Sequence, residues 1–376
     1  MRLKYVLDSI SDTYNLKNKN KVVFLNTGDI QSGKFLHSDY SDSKFLPGQA
    51  KKSIKNNDIL FSEIRPANQR FALVNLRNPE DYVVSTKLMV LRCNNPSYSV
   101  EYVYAFLTQP KILAELQTLA ESRSGTFPQI TFSEIQMLDI PEISLADQQH
   151  IVDILGSIDD KIENNEKIIS LLEQKMLLEY DKFIMKHETE KVAMQDIFNI
   201  TIGKTPPRKE SHWFTTSPTD IKWLSISDMG KAQVFAFDSN EKITPEGIKK
   251  YNVKIAPKNT VLLSFKLTVG KVAITACEMA TNEAIAHFNT DNINIIEYLY
   301  CYLKRYDFDS LGNTSSIATA VNSKTIKAMD FLLPSQNDLI YFHNNTSTTL
   351  IKIKHLLVEN NKLNELKQLY LKKFFG

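Results

Sequence analysis

The chain has 376 residues, a formal net charge of +2, 43% hydrophobic and 23% charged residues, which is room for roughly two to three domains with ample core. That balance is the balance of an ordinary globular protein and excludes a disordered or strongly basic chain. No apolar run approaches the roughly 20 residues of a membrane span, and the first residues, MRLKYVLDSISDTYN, lack the apolar stretch of a signal peptide, so the expected compartment is the cytoplasm.

Residues 1–143 read as a mixed α/β globule. Val22 to Leu25 is β-prone and ends at the turn-forming Asn26-Thr27-Gly28-Asp29. Asn57-Asp58 introduces a second strand, Ile59 to Ser62, and Arg65-Pro66 and Arg70 follow in or beside a loop. Phe71 to Val74, Tyr82 to Val84 and Leu88 to Leu91 are further strand candidates. Glu101 opens a helix expected to run towards Leu119, and a polar loop from Ser122 leads through Ile130, Ile135 and Ile140-Pro141 into a long helix.

That helix, 144–187, carries Ile151, Ile154 or Leu155, Ile158, Ile162, Asn165, Ile169, Leu172, Met176, Glu179 and Phe183 at alternating steps of three and four. The spacing predicts a narrow coiled-coil seam on a helix on the order of 55 Å long, which cannot bury its seam against itself. A second globule, 188–334, repeats the signals of the first. It has a loop at Ile202 to Pro207, strands at Ile221 to Ile226 and Val261 to Ser264, and a helix from Glu297 to Leu303. The segment 335–376 then supplies the partner helix, with Thr349 or Leu350, Ile353, Leu356 or Leu357, Asn360, Leu363, Leu366 or Lys367, Tyr370 and Phe374 on its seam. The first long helix has five basic and nine acidic residues, the second six basic and three acidic, so the pair is electrostatically matched. Asn165 and Asn360 fall in the seams, where a buried amide fixes register.

Ser62 is echoed by Ser264, Glu101 by Glu297 and Asp139 by Asp330, in order, at offsets of 202, 196 and 191 residues. This is duplication: globule, long helix, globule, long helix. The expected fold is α+β, two mixed α/β domains separated by two long antiparallel coiled-coil helices in a pseudo-twofold repeat. Symmetric readers of duplex DNA use such geometry, with half-site spacing fixed by the protein.

No catalytic motif is present. Gly203-Lys204-Thr205 matches the tail of a phosphate loop, but Phe198 stands where its opening glycine belongs. The chain has no HExxH, GxSxG or dinucleotide loop, its seven histidines lack ligand spacing, and Cys93, Cys277 and Cys301 show no CxxC pattern. Catalytic and metal sites are therefore not expected. For DNA contact the candidates are basic and amide side chains in loops: Lys34, Arg65, Asn68, Arg70 and Arg123 in the first globule, and Lys204, Arg208, Lys209, Lys266 and Asn313 in the second. Arg65 and Arg208 stand out because adjacent prolines stiffen their loops.

Several motifs resemble those of the specificity subunit of type I restriction–modification systems. In the first half they are Gly125-Thr126 with Ile130, Ile140-Pro141, Asp147-Gln148-Gln149-His150-Ile151 and Ile158 to Asn165. In the second they are Gly203-Lys204-Thr205-Pro206, Ile221 to Asp228 and Thr281-Asn282-Glu283-Ala284-Ile285. The resemblance spans nearly the whole chain, with two departures: Leu339-Ile340 replaces a second Gln-Gln pair, and Glu283 stands where glutamine is usual. It implies a non-catalytic reader of double-stranded DNA. Each globule would be a target recognition domain for one half of a split, asymmetric site. The helices would act as ruler and as dock for two modification subunits. It also implies that S-adenosylmethionine, ATP and Mg belong to the modification and restriction subunits, with no cofactor in this chain. Two rivals are a clamp that holds two protein partners without touching DNA, and an enzyme with an unrecognised site in one globule.

Overall fold

The computed structural model describes residues 1–16, 19–122, 128–266, 268–311 and 322–376. It divides into two compact units, Met1–Lys161 with Leu363–Gly376, and Ile162–Lys362.

Each unit is built on the same two sheets. In the first unit, strands Leu7–Ile10, Leu88–Cys93, Asp58–Ser62 and Phe71–Leu73 lie side by side in that order. The second unit repeats it with Asn199–Ile202, Ile285–Asn289, Val261–Ser264 and Val272–Thr275, adding Phe235–Ala236 at the edge. The other sheet pairs Lys21–Leu25 parallel to Tyr82–Ser85 in the first unit, and Ile221–Leu224 parallel to Met279–Thr281 in the second. Asp58–Ser62 and Val261–Ser264 are apolar in their middle residues because each face meets a different core. Ile59 and Phe61 enter one cluster while Leu60 enters another, and Val261 and Leu263 are separated from Leu262 in the same way.

The correspondence extends to single hydrogen bonds. Asn57 and Asn259 both take left-handed backbone, φ 71° and 67°, a conformation asparagine tolerates better than other side chains. Asn57 N donates to Val74 O and Asn259 N to Thr275 O, each at 2.9 Å; at the far end Ser62 N donates to Arg70 O and Ser264 N to Lys271 O, again at 2.9 Å. After the first strand of each parallel pair the chain enters a capping box, Asn26 with Asp29 and Ser225 with Asp228. Duplication is therefore a property of the register.

Two elements differ from the sequence expectation. The helix expected from Glu101 to Leu119 is two helices, Val100–Thr108 and Pro110–Glu121. Pro110 forces Gln109 into extended backbone, ψ 146°, and then begins the second helix. The strand expected to reach Ile226 stops at Leu224, because Ser225 accepts from Asp228 N and caps a short helix starting at Ile226.

The long helices are Leu145–Lys186 and Gln336–Phe375, 42 and 40 residues, and they pair antiparallel. Within the second unit Ile169, Met176, Tyr180 and Phe183 share a core with Leu339, Phe342, Leu350, Ile353 and Leu357. Within the first, Ile151 and Leu155 meet Leu371 and Phe375, whose ring lies 5.3 Å from Tyr102 and 5.7 Å from Phe106. Of the seam positions, Ile151, Ile158, Asn165, Ile169, Ile353 and Asn360 are buried, while Ile162, Leu172, Leu363 and Tyr370 are half-buried. Where strict alternation put Glu179 and Phe374, Tyr180 and Phe375 are the buried residues. The helix turns every 3.6 residues, so a 3.5-residue reading slips by one position as it proceeds.

Asn165 and Asn360 meet in the seam: Asn165 Nδ2 donates to Asn360 Oδ1 and to Glu359 Oε2, both at 2.8 Å. Asp159 and Lys367 form an ion pair at 2.5 Å further along the same pair of helices. Asn165→Ala leaves Asn360 buried without its donor and is expected to lower stability by about 1–3 kcal/mol. Replacing both asparagines by leucine is expected to recover most of that loss; urea unfolding of the three chains checks it.

Candidate nucleic-acid interface

Three stretches far apart in the second half of the sequence converge at one place. Gly203 N donates to Ile285 O at 3.0 Å and Lys204 N to Thr281 O at 2.9 Å. The Trp223 indole donates to Lys204 O at 3.1 Å, and Asn282 N to Leu224 O at 3.0 Å. Thr205 hydrogen-bonds Glu283, and Asn282 Nδ2 donates to Thr205 Oγ1 at 3.2 Å. Glycine is required at 203: a Cβ there would lie 2.1 Å from Thr281 Oγ1 and 2.2 Å from the backbone oxygen of Asn282. The Gly-Lys-Thr sequence therefore serves close backbone docking, and no phosphate loop is formed.

Beneath this junction lies His287, buried between Thr281 Oγ1 at 2.7 Å from Nε2 and Thr201 Oγ1 at 3.1 Å from Nδ1. Burial pushes its pKa down to about 4, because an imidazolium there would lose its hydration.

Around the junction the predicted residues take different roles. Lys204 is exposed beside its backbone contacts. Arg208 is held by its own unit: its guanidinium stacks 4.0 Å from Phe214 and 4.7 Å from Trp223 and donates to Glu241 at 2.8 Å. The next residues are pinned as well. Glu210, bonded by the Trp213 indole and the Lys250 ammonium, has its carboxyl held down at about 2. Lys209 is exposed between them. Lys266 is exposed in the loop that joins Val261–Ser264 to Val272–Thr275, its Nζ 5.5 Å from the Phe265 ring. Arg123 and Asn313, like Gly125-Thr126, lie outside the described residues.

In the first unit the structure gathers Lys34, Arg65, Asn68 and Arg70 around one loop. Arg65 is left-handed at φ 47° and opens the short Pro66–Asn68 turn, and Gln69, also left-handed at φ 55°, closes it. A small hairpin, Ile30–Gln31 with Lys34–Phe35, docks on this loop through Ser32 N to Gln69 O at 2.7 Å and Gly33 N to Phe71 O at 2.9 Å. Its turn residues Ser32 and Gly33 both have positive φ. From the other side Gln117 Oε1 accepts from Ala67 N at 3.1 Å. Arg70 donates to Thr27 Oγ1 at 3.3 Å. Three of the six left-handed non-glycine residues of the described chain, Ser32, Arg65 and Gln69, thus sit together. Such backbone persists only where the surroundings over-determine it, and it clusters at functional sites. Gln31, Ser32 and Gln69 were absent from the sequence-based candidates; the Ser32-Gly33 pair is the turn signal that marks them.

Among the described residues no group of His, Cys, Asp or Glu is placed to hold a metal ion, and no helix is long and apolar enough to cross a membrane. The fold and the loops together define a duplicated α+β scaffold that presents two sets of exposed polar loops. Comparison with known proteins gives that class its family. The profile of the type I restriction modification DNA specificity domain matches residues 8–174 and again 186–371. The HindI specificity subunit of Haemophilus influenzae is 29% identical over 442 aligned positions, covering 96% of this chain and 95% of that protein. The MjaIX specificity subunit of Methanocaldococcus jannaschii is 25% identical over 178 positions, covering 46% and 39%. The S subunit of a type I restriction–modification system from M. genitalium shares the fold at TM-score 0.56 and 15% identity, covering 100% of this chain and 95% of that one.

This chain belongs to the type I restriction–modification DNA specificity family. It is a specificity subunit, a DNA target-recognition protein whose system keeps its catalytic activities in other subunits.

Gly203→Ala is expected to destabilise the second unit by about 1–3 kcal/mol or more, because the obstructing atoms include backbone; thermal unfolding measures it. His287 gives a pH signature. Its folded pKa lies below the ordinary 6.5, so the unfolded chain takes up the proton first. Its contribution is fully present above pH 6.5 and is lost as pH falls from there towards 4. As pH falls from 6.5 towards 4, the stability of the wild type is expected to drop more steeply than that of His287→Gln, whose curve is flatter across that window; thermal unfolding against pH measures it.

Proposed function

We propose that each globule reads one half of a split, asymmetric DNA sequence, residues 1–143 and 188–334 being the two target recognition domains. The segments 144–187 and 335–376 are spacers that set the distance between half-sites and dock two modification subunits. Those subunits transfer the methyl group of S-adenosylmethionine to adenine, and restriction subunits add ATP- and Mg-dependent cleavage, so this chain works in the cytoplasm beside the DNA.

The observation that carries this reading is one frame with two loops. Asn57 and Asn259 open equivalent hairpins with the same hydrogen bonds, yet the first presents Arg65-Pro66-Ala67-Asn68-Gln69 while the second presents Lys266 and closes on Gly270. A shared scaffold carrying different exposed side chains is what two readers of different half-sites require, since base-edge contacts supply specificity and phosphate contacts only position.

The test is a genome-wide map of methylated adenine, with and without this chain, beside its modification subunit. One split motif that disappears with the chain is the expected result; an unchanged map overturns the reading. In the same assay Arg65→Ala is expected to relax one half of the motif and Lys266→Ala the other. If both affect the same half, the two-reader assignment fails. Binding of the complex to a duplex is expected to weaken steeply with added salt, as phosphate contacts demand.

A further inference from the structure

The docked hairpin of the first unit orients two glutamine side chains in opposite senses. Gln31 Nε2 donates to Asn68 O at 2.9 Å and to Ser32 Oγ at 3.4 Å, so its N–H groups are engaged and its Oε1 remains as acceptor. The Ser32 hydroxyl in turn donates to Gln69 Oε1 at 2.8 Å, which turns that oxygen towards the serine and leaves the Nε2 group of Gln69 as donor. A directional chain therefore runs from Gln31 through Ser32 to Gln69, and each bond in such a chain polarises the next. All four residues are exposed. The backbone beneath them is fixed by Ser32 N to Gln69 O at 2.7 Å and by the left-handed Ser32 and Gln69.

We infer that Gln31 and Gln69 are specificity-determining residues of the first half-site, Gln31 reading a hydrogen-bond donor and Gln69 an acceptor on neighbouring base edges. The inference rests on the proposed DNA-reading role of this unit. A free glutamine amide presents donor and acceptor together and pairs bidentately with adenine. Here the serine chain turns the two amides in opposite senses, so Gln31 offers its Oε1 outward and Gln69 its Nε2. The acceptor of Gln31 suits the amino groups of adenine or cytosine. The donors of Gln69 suit guanine O6 and N7 or thymine O4. Lys34 and Arg70 lie on the same hairpin and loop, where cations serve the flanking phosphates. Ser32 acts through the two glutamines and is a positioning residue.

The experiment uses the full chain assembled with its modification subunits, and maps methylated adenine for the wild type, Gln69→Glu and Ser32→Ala. Gln69→Glu removes the donor and leaves an acceptor. It is expected to change the permitted base at one position of one half-site and to weaken binding to the original duplex by roughly tenfold or more. The other half-site and the spacer stay as they were. Ser32→Ala frees both amides to rotate and is expected to admit more than one base at that same position. Wild-type motifs in both variants, or changes spread over both half-sites, overturn the inference. If Gln69→Glu does not assemble, the Ser32→Ala map alone decides, since removing one exposed hydroxyl leaves the hairpin's backbone bonds in place. A wild-type complex that modifies no split motif is a separate outcome, and defeats the DNA-reading role itself.

Discussion

Neither long helix can bury its apolar stripe alone, and the antiparallel pairing of Leu145–Lys186 with Gln336–Phe375 is the constraint on which both units are built. Their residues are components of the cores: Phe183 and Phe342 pack on Tyr298 in the second unit, and Phe375 packs on Tyr102 and Phe106 in the first. A helix that is part of a domain core cannot slide without disrupting that core. The Asn165–Asn360 bond adds a polar check on register, because any axial shift would leave two buried amides unpaired.

The duplicated sheets answer a second requirement, that recognition loops be held on rigid supports. The strands Asp58–Ser62 and Val261–Ser264 are buried along their whole length, and the loops that follow them begin and end on equivalent backbone bonds. Side chains between those bonds are then free to differ. Outside those loops the units differ as well: the first adds a hairpin locked by Ser32 and Gly33, and the second stacks Arg208 on Phe214 and Trp223.

Much of this architecture was legible in the sequence, because its signals are local or periodic. The long helices announce themselves by apolar spacing over about ten turns, and the repeat by ordered echoes such as Ser62 with Ser264. What the sequence did not show depends on distant partners. Gly203, Trp223 and Asn282 are far apart in the chain, and only the fold brings them to one junction. The surroundings of Arg208 depend on distance in the same way: Phe214, Trp223 and Glu241 reach it only through the fold. The neighbouring prolines do stiffen its loop, but they hold the guanidinium against aromatic rings and Glu241. The break at Pro110 was readable, since a proline inside a helical pattern ends the helix before it. The apolar spacing continues on both sides of it and masks the break.

The near-neutral net charge of +2 is compatible with a DNA target-recognition protein. Phosphate contact supplies affinity without sequence information, and a strongly basic chain would bind duplex everywhere. A net charge of +2 limits attraction to duplex away from the target while leaving local phosphate contacts possible. Orientation is what the structure provides. Arg65 and Gln69 are held in left-handed backbone, and Gln31, Ser32 and Gln69 are bonded in sequence. Groups fixed before binding lose little freedom on contact. Preorganised loops on buried strands, with the charge kept low, favour selectivity over raw affinity.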